Sequence, residues 1–563
     1  MTTAHDEVPT RPLARGEPWR LRARHVGELL FARRSEISAV ELGTAALLLL
    51  ALGFVLYASH IAHGGFYYDD WANAALTAYP PHHGYAGAVS VYFSEFGFRP
   101  LLALYVPTVH ELLGLHEHWH IAWSVLLLCV MAAAVYLTLR TLGFERIHAF
   151  GISALTVVFP FSDSSTLWST ASTGHLVAAL YLIGLVLAIR GLKTSDRRRA
   201  RWYLIGSLLL YAAAVTTYEL VATVALASVL IYLWQSTPRK ALTRFAFDAV
   251  VVGAALIWTT SQTAIDVVHS GGGAVEHART LADQGLYIVA QSIEPFGTPA
   301  RFTVLACAAA VFGVGAVAWR LLPPADQARK ELGRWLATAL GGLLFTYIAW
   351  AVFIPADPYY EPTTLGVGNR VNAFAVIGLV TLAYALAMIV ATLLLRRSRR
   401  RPVLATCLAL LAAVALAAGY SHRVRADIAA WDGATSIQNQ VFAALKHSVP
   451  RPVPHSTIFA YGFTNYPAPG VPSFAASWDL NGAAQIIYHT NTVRAYPIFT
   501  PSAVVCTPAL AYPAQEGYTR KFGSTYGHTY LVNVASQSAS FPRTASQCAA
   551  ALGRPPAAAH TGR

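Results

Sequence analysis

Two adjacent carboxylates, Asp69 and Asp70, follow Gly65-Phe66-Tyr67-Tyr68 and precede Trp71. A carboxylate beside a hydroxyl can take its proton as that hydroxyl attacks, an effect typically worth about 10²- to 10⁴-fold in rate. Adjacent side chains point in different directions. One of the pair is therefore expected to act as a base and the other to hold a metal, a hydrogen-bond partner or a helix cap. Two solvated acids capping an interfacial helix are the plain alternative. Downstream, Glu95 and Arg99 stand in Tyr92-Phe93-Ser94-Glu95-Phe96-Gly97-Phe98-Arg99-Pro100-Leu101, and Arg370 stands in Gly368-Asn369-Arg370-Val371. A guanidinium can grip two phosphate oxygens at once, each charge-assisted bond being worth ~1.5–3 kcal/mol net. Interfacial anchoring or pairing with a carboxylate is the other reading of these arginines. His116 and His120 have the i, i+4 spacing of paired metal ligands on a helix, with Glu117 between them. Interfacial His and Trp ahead of an apolar segment fit the same pattern.

The elements that must position these groups are membrane helices. Hydrophobic residues make up 55% of the 563 and charged residues 12%, roughly half the charged share usual in soluble proteins. The apolar residues come in long blocks that can cross a ~30 Å hydrocarbon core as helices. Spans are predicted near 38–60, 118–139, 148–162, 173–190, 203–217, 219–235, 245–262, 302–320, 335–354, 371–395 and 403–420. The chain thus reads as an all-α polytopic bundle of about 11 transmembrane helices, with no cleavable signal peptide, since the first apolar block is too long and lacks a small-residue cleavage pattern. Lys and Arg give it a direction. Alternate segments beginning with the N-terminal tail hold 27 of them, and the intervening loops before residue 421 hold four, Arg99, Arg279, Arg301 and Arg370. Basic residues resist translocation, so the first set is expected to be cytoplasmic. A net charge of +13 then needs no nucleic-acid partner.

This orientation puts Asp69, Asp70, Glu95, Asp163 and Glu219 on the outer side, most of them beside aromatic residues. Hairpin connections need only a few residues, so the long first outer loop, 61–117, invites a functional reading. The predicted organisation is a cytoplasmic basic tail at 1–37, a transmembrane domain at 38–420, an extracytoplasmic domain at 421–545 and a disordered tail at 546–563. Short runs at 457–461, 485–488, 502–505 and 530–534 alternate with Pro and Gly, which suggests that the outer domain is a small α/β or β-rich unit. Cys506 and Cys548 can pair there if the compartment is oxidising. Aromatic runs at 159–168 and 359–360 read as interface belts, or as a platform for sugar rings with Asp163 and Glu219 in the same cavity.

The Asp-Asp-Trp after the first helix, followed by the aromatic, acidic, Arg-Pro-Leu stretch and the late Gly-Asn-Arg, resembles the GT-C superfamily. These membrane glycosyltransferases take a sugar from a polyprenyl-phosphate donor, and the likeness is to the protein-mannosyltransferase-like and aminoarabinose-transferase-like branches. The resemblance implies a base at Asp69 or Asp70 and donor-phosphate contacts at Arg99 and Arg370, with Trp71 and Glu95 of the same motifs in the substrate cavity, which Asp163 and Glu219 join on the sugar-platform reading. It leaves divalent-cation dependence open, because some members use a cation and others do not.

The leading expectation is an inverting glycosyltransferase of the cell membrane. It would use a polyprenyl-phosphate-linked sugar, membrane lipids as surroundings, and a glycan, glycolipid or protein of the envelope as acceptor. A transporter or flippase of an envelope lipid or glycan is the runner-up, although such proteins place ionisable groups at midplane depth and these spans are nearly charge-free. A non-catalytic envelope scaffold is the third reading, and it makes the loop acids dispensable.

Overall fold

The computed structural model describes residues 37–80, 84–261, 273–297, 300–356, 360–396, 401–515, 518 and 520–554. All but the last residue of the expected tail at 1–37 lies outside these, as do His82, His83, Asp357 and Tyr359. Among the described residues eight helices are long and apolar enough to cross a membrane: Ala39–His63, Glu117–Thr141, Ser169–Lys193, Pro238–Ser261, Arg301–Leu321, Gln327–Ala351, Val376–Leu394 and Val403–Ser448. The chain is a multi-pass membrane protein.

The other three predicted spans are helical but fall short of that standard. Arg146–Val157 has 12 residues, a rise of about 18 Å, before the chain turns at Pro160. Arg197–Thr217 is long but opens on consecutive arginines. Residues 219–235 are divided into a 3₁₀ turn, Glu219–Val221, and the helices Ala222–Ala227 and Val229–Gln235.

The bundle has two unlike ends. At the basic end, Arg140 and Arg146 both donate through Nε to the Glu41 carboxylate, at 2.6 and 2.7 Å, and Arg334 reaches the Gly143 carbonyl at 3.4 Å. At the opposite end lie the helices of the first loop, Asp69–Ala78, Gly84–Phe96 and Pro100–Leu113, with the C-terminal domain over them. One core cluster joins the two: Phe66, Trp71 and Ala74 of the loop pack with Val441, Leu445, Ile458, Phe474, Leu480 and Ala483. The first loop is therefore folded as part of the C-terminal domain's core.

The last helix of the bundle, Arg401–Ser448, has 48 residues and a length of about 72 Å, more than twice a hydrocarbon core. A span ending near 420 was expected from the loss of continuous apolarity. The helix continues because Tyr420, Val424, Ile428, Trp431, Ala434, Val441, Ala444 and Leu445, all buried, keep one apolar stripe at helical spacing.

The domain is α/β, as expected. Thr457–Tyr461 is the centre of a four-stranded sheet, parallel to Arg494–Pro497 on one side and to Thr529–Asn533 on the other, with Ser538–Ser540 antiparallel at the edge. Every residue of Thr457–Tyr461 is buried, as befits a parallel strand covered on both faces. Val504–Cys506, Leu510–Pro513 and Ser524–Thr525 form a second, antiparallel sheet. Two expectations are corrected. Residues 485–488 are not a strand but the end of the helix Asp479–Ile487, which buries Leu480, Ala483 and Ala484 at i, i+3 and i+4. The supposed tail from 546 begins inside the helix Ala545–Ala551, where buried Cys548 forms a disulfide with Cys506; only 555–563 lies outside the described residues.

Candidate active site

The turn after the first span is pinned to the long last helix before it reaches the carboxylates. His60 Nδ1 and Asp432 Oδ1 are 2.6 Å apart. The Tyr67 hydroxyl lies 2.7 Å from Thr435 Oγ1 and donates to the Trp431 carbonyl at 3.0 Å. Tyr68, at φ 49°, then redirects the chain into Asp69–Ala78.

The two carboxylates part company there. Asp70 accepts from the backbone N–H groups of Tyr67, Ser169 and Thr170 at 3.2, 3.3 and 2.7 Å, and from the Thr170 hydroxyl at 2.5 Å. It is 2% exposed, and burial pushes its carboxyl up to about 7 against those hydrogen bonds. Asp70 is a buried clasp between the first loop and the 169–172 turn. Asp69 instead lines an open cavity, and its Oδ1 accepts from the Trp478 indole Nε1 at 2.7 Å. Burial raises the Asp69 carboxyl above its ordinary value, while Arg370 and the Trp478 hydrogen bond lower it.

The cavity measures about 630 Å³ and lies between the first-loop helices, the 165–174 and 360–373 segments and the domain helix Asp479–Ile487. Asp69, Glu95, Arg99 and Arg370 all line it, with Tyr92, Trp168, Tyr218, Tyr360 and Trp478 as aromatic walls. The Arg99 guanidinium lies over Tyr218, 4.3 Å from the ring centroid. It donates through Nε to Glu219 Oε2 at 2.9 Å and through a second nitrogen to Oε1, a two-pronged ion pair at the cavity wall. Arg370 lies over Trp168 and Tyr360, 5.1 and 5.2 Å from their centroids.

Arg370 rides on the 3₁₀ turn Val367–Asn372, clamped on two sides. Buried Asn369 donates to Asp163 Oδ1 at 2.8 Å and accepts from Ser164 N at 3.0 Å. Asn372 donates to the Phe161 carbonyl at 2.6 Å and accepts from the Trp350 indole at 3.0 Å. On the other side the Val367 N–H donates to the Gly470 carbonyl of the C-terminal domain at 2.8 Å. Burial and the neighbouring Asp427 carboxylate push the Asp163 carboxyl well above its ordinary range.

Of the residues singled out in the sequence, Asp69, Glu95, Arg99 and Arg370 line one cavity. Asp163 and Glu219 do not line it; they brace Asn369 and Arg99. Trp71 faces away, packed edge-on against Phe66 and Phe442 in the domain core. His120 lies beside the Gly114 carbonyl, 2.9 Å from Nε2, and against the His110 ring, 4.4 Å between centroids. No group of three or more His, Cys, Asp or Glu arranged to hold a metal ion occurs among the described residues. Trp478 and Asp427 were not anticipated, and Asn369, quoted in the motif around Arg370, was given no partner there. Each lies far along the chain from its partner, and no local spacing marks it.

No protein-family model matches the chain, and no curated protein matches it. Among solved structures, the archaeal oligosaccharyltransferase AglB from Archaeoglobus fulgidus, in complex with an inhibitory peptide and a dolichol-phosphate, is similar over 81% of this chain at 12% identity and TM-score 0.41. This chain spans only 64% of that protein's length. ArnT from Cupriavidus metallidurans in the apo state is similar over 84% of this chain and 96% of its own, at 12% identity and TM-score 0.38. ArnT from the same organism bound to undecaprenyl phosphate is similar over 80% of this chain and 89% of its own, at 11% identity and TM-score 0.32.

Proposed function

We propose that this chain is a membrane glycosyltransferase that moves a sugar from a polyprenyl-phosphate donor to an extracytoplasmic acceptor of the cell envelope. The observation that carries this reading is the meeting of Asp69 with Arg99 and Arg370 in one cavity at the domain end of the bundle. Asp69 takes the proton of an acceptor hydroxyl as its oxygen bonds to the anomeric carbon. The bond from that carbon to the phosphate oxygen breaks on the opposite face, so the anomeric centre inverts. The departing polyprenyl phosphate gains negative charge, which Arg370 meets directly. Arg99, already paired with Glu219, adds a second positive group at the wall.

Transport fits the geometry less well. Inside the span Pro238–Ser261, Arg244 donates to Asp248 at 2.6 Å and Tyr232 donates to the same carboxylate at 2.8 Å, so this buried pair is closed on itself and does not line the cavity. The test is transfer by purified protein from a synthetic polyprenyl-phosphate sugar. Asp69→Asn should lose at least about 100-fold in kcat and keep its melting temperature. Asp70→Ala should instead lower stability by roughly 2–3 kcal/mol, because four donors lose their acceptor. Full transfer activity in Asp69→Asn overturns the assignment of the base, and loss of function on removing the domain with both acids dispensable favours a scaffold.

A further inference from the structure

We propose that the C-terminal domain supplies the acceptor subsite, and that the acceptor is a carbohydrate whose ring lies on Trp478 with its hydroxyls held by Asn481 and Gln485. The inference rests on the glycosyltransferase reading and specifies which of the envelope acceptors it uses.

Trp478, Asn481 and Gln485 project from the start and one face of the domain helix Asp479–Ile487, at spacings of three and four, and all three line the cavity. Trp478 is 43% exposed. Its edge-on contact with Tyr68, at 5.2 Å and 78° between planes, fixes its tilt. Its indole nitrogen is already used on Asp69, so what the ring offers the cavity is an apolar face. Among the described residues no hydrogen bond engages the Gln485 side-chain amide, which stands at the same wall. An aromatic plate flanked by two amides matches a neutral sugar ring: the Gln485 amide can donate and accept, and the Asn481 amide, whose Oδ1 accepts from the Ala495 N–H at 3.4 Å, still offers its two N–H donors. The apolar C–H face lies on the plate, and the vicinal hydroxyls lie against the amides. Among the described lining residues that wall carries no cation that would select a phosphate, and the two arginines of the cavity come from the first loop and the Val367–Asn372 turn instead.

Position separates acceptor from donor. Trp478 touches the group that takes the acceptor's proton, so a ring seated on it presents its hydroxyl to Asp69. The helix is held close enough to do this by Gly482, where a Cβ would stand 2.3 Å from the Trp71 carbonyl oxygen.

Binding is measured first, without chemistry, on the full chain in detergent. Saturation-transfer NMR is run with a panel of neutral oligosaccharides of mannose, galactose, glucose and arabinose, and with serine- and threonine-containing peptides. The expected result is saturable binding of at least one oligosaccharide, retained in Asp69→Asn and weakened about tenfold in Trp478→Ala and Gln485→Ala. Trp478→Phe keeps the plate without the indole donor, and it should bind near the native level while its transfer activity falls. In transfer assays Trp478→Ala should raise KM for the acceptor and leave KM for the polyprenyl-phosphate sugar unchanged. The subsite is overturned if no oligosaccharide in the panel binds, if only peptides bind, or if Trp478→Ala leaves binding unchanged. Oligosaccharide binding lost in Trp478→Ala, with no transfer from any polyprenyl-phosphate sugar, overturns the glycosyltransferase reading and leaves the carbohydrate site standing.

Discussion

Burial raises the Asp69 carboxyl while Arg370 and the Trp478 indole pull it down again, and a base must be ionised to work. Activity should therefore fall as pH drops through an apparent pKa above the ~4 of an ordinary aspartate. Removing either stabiliser of the anion raises that pKa further, so Arg370→Gln and Trp478→Phe should each move the acid limb of kcat/KM to higher pH. A limb that stays in place in both variants removes Asp69 from the role of base. The sequence shows an Asp pair of which one member should act and the other be held. It could not say which, because the donors that hold Asp70 arrive from Ser169 and Thr170, about a hundred residues away in the chain. The same separation hid Trp478, which meets Asp69 only through the docking of the domain.

Two close glycine contacts act on the cavity, one between the domain helix and the first loop and one between the domain and the segment that leads into Val367–Asn372. A Cβ on Gly482 would meet the Trp71 carbonyl at 2.3 Å, and a Cβ on Gly366 would stand 2.3 Å from the Gly470 carbonyl carbon, at a residue whose φ of +75° already disfavours a side chain. Gly482→Ala pushes Trp478 off Asp69, and Gly366→Ala shifts the turn that carries Arg370. Each should cost at least about 1–3 kcal/mol of stability and cut transfer more than tenfold, whereas Gly433→Ala, with nothing within 4 Å, should do neither. Near-native transfer in both cavity variants shows that the domain does not set the site. Helices were legible wherever apolarity was continuous. The extension of the last one past residue 420 was written in a weaker sign, the stripe from Tyr420 to Leu445, which needs only one face apolar because the rest meets water. The helix from Asp479 was harder still to read, since it is short, its N-cap is Trp478 with no side-chain capping bond, and its first acid, Asp479, accepts from Ala475 and Ala476 just ahead of it.

At the scale of the whole molecule, charge and redox chemistry make independent statements about direction. Among the described residues the Glu41–Arg140–Arg146 cluster lies at one end with Arg190, Lys193, Arg199 and Arg334, the pattern expected of a cytoplasmic face. At the other end the Cys506–Cys548 bond closes a separation of 42 residues, and such bonds persist in oxidising compartments. A polyprenyl-phosphate sugar presented in the outer leaflet would meet the cavity at that same end, so the enzymatic reading fails if the molecule is inverted. Single cysteines at exposed Gln537 in the domain and exposed Ser195 at the basic end test the orientation in intact cells. A membrane-impermeant maleimide should label Gln537→Cys directly and Ser195→Cys only after permeabilisation. The reverse pattern would move the cavity to the cytoplasm and remove the lipid-linked donor from the argument. Cys506→Ser, by the loop-closure relation, should destabilise the domain by roughly 4 kcal/mol. Because the domain wall carries Trp478, transfer should fall with the folded fraction as temperature rises, at temperatures where the native chain keeps full activity.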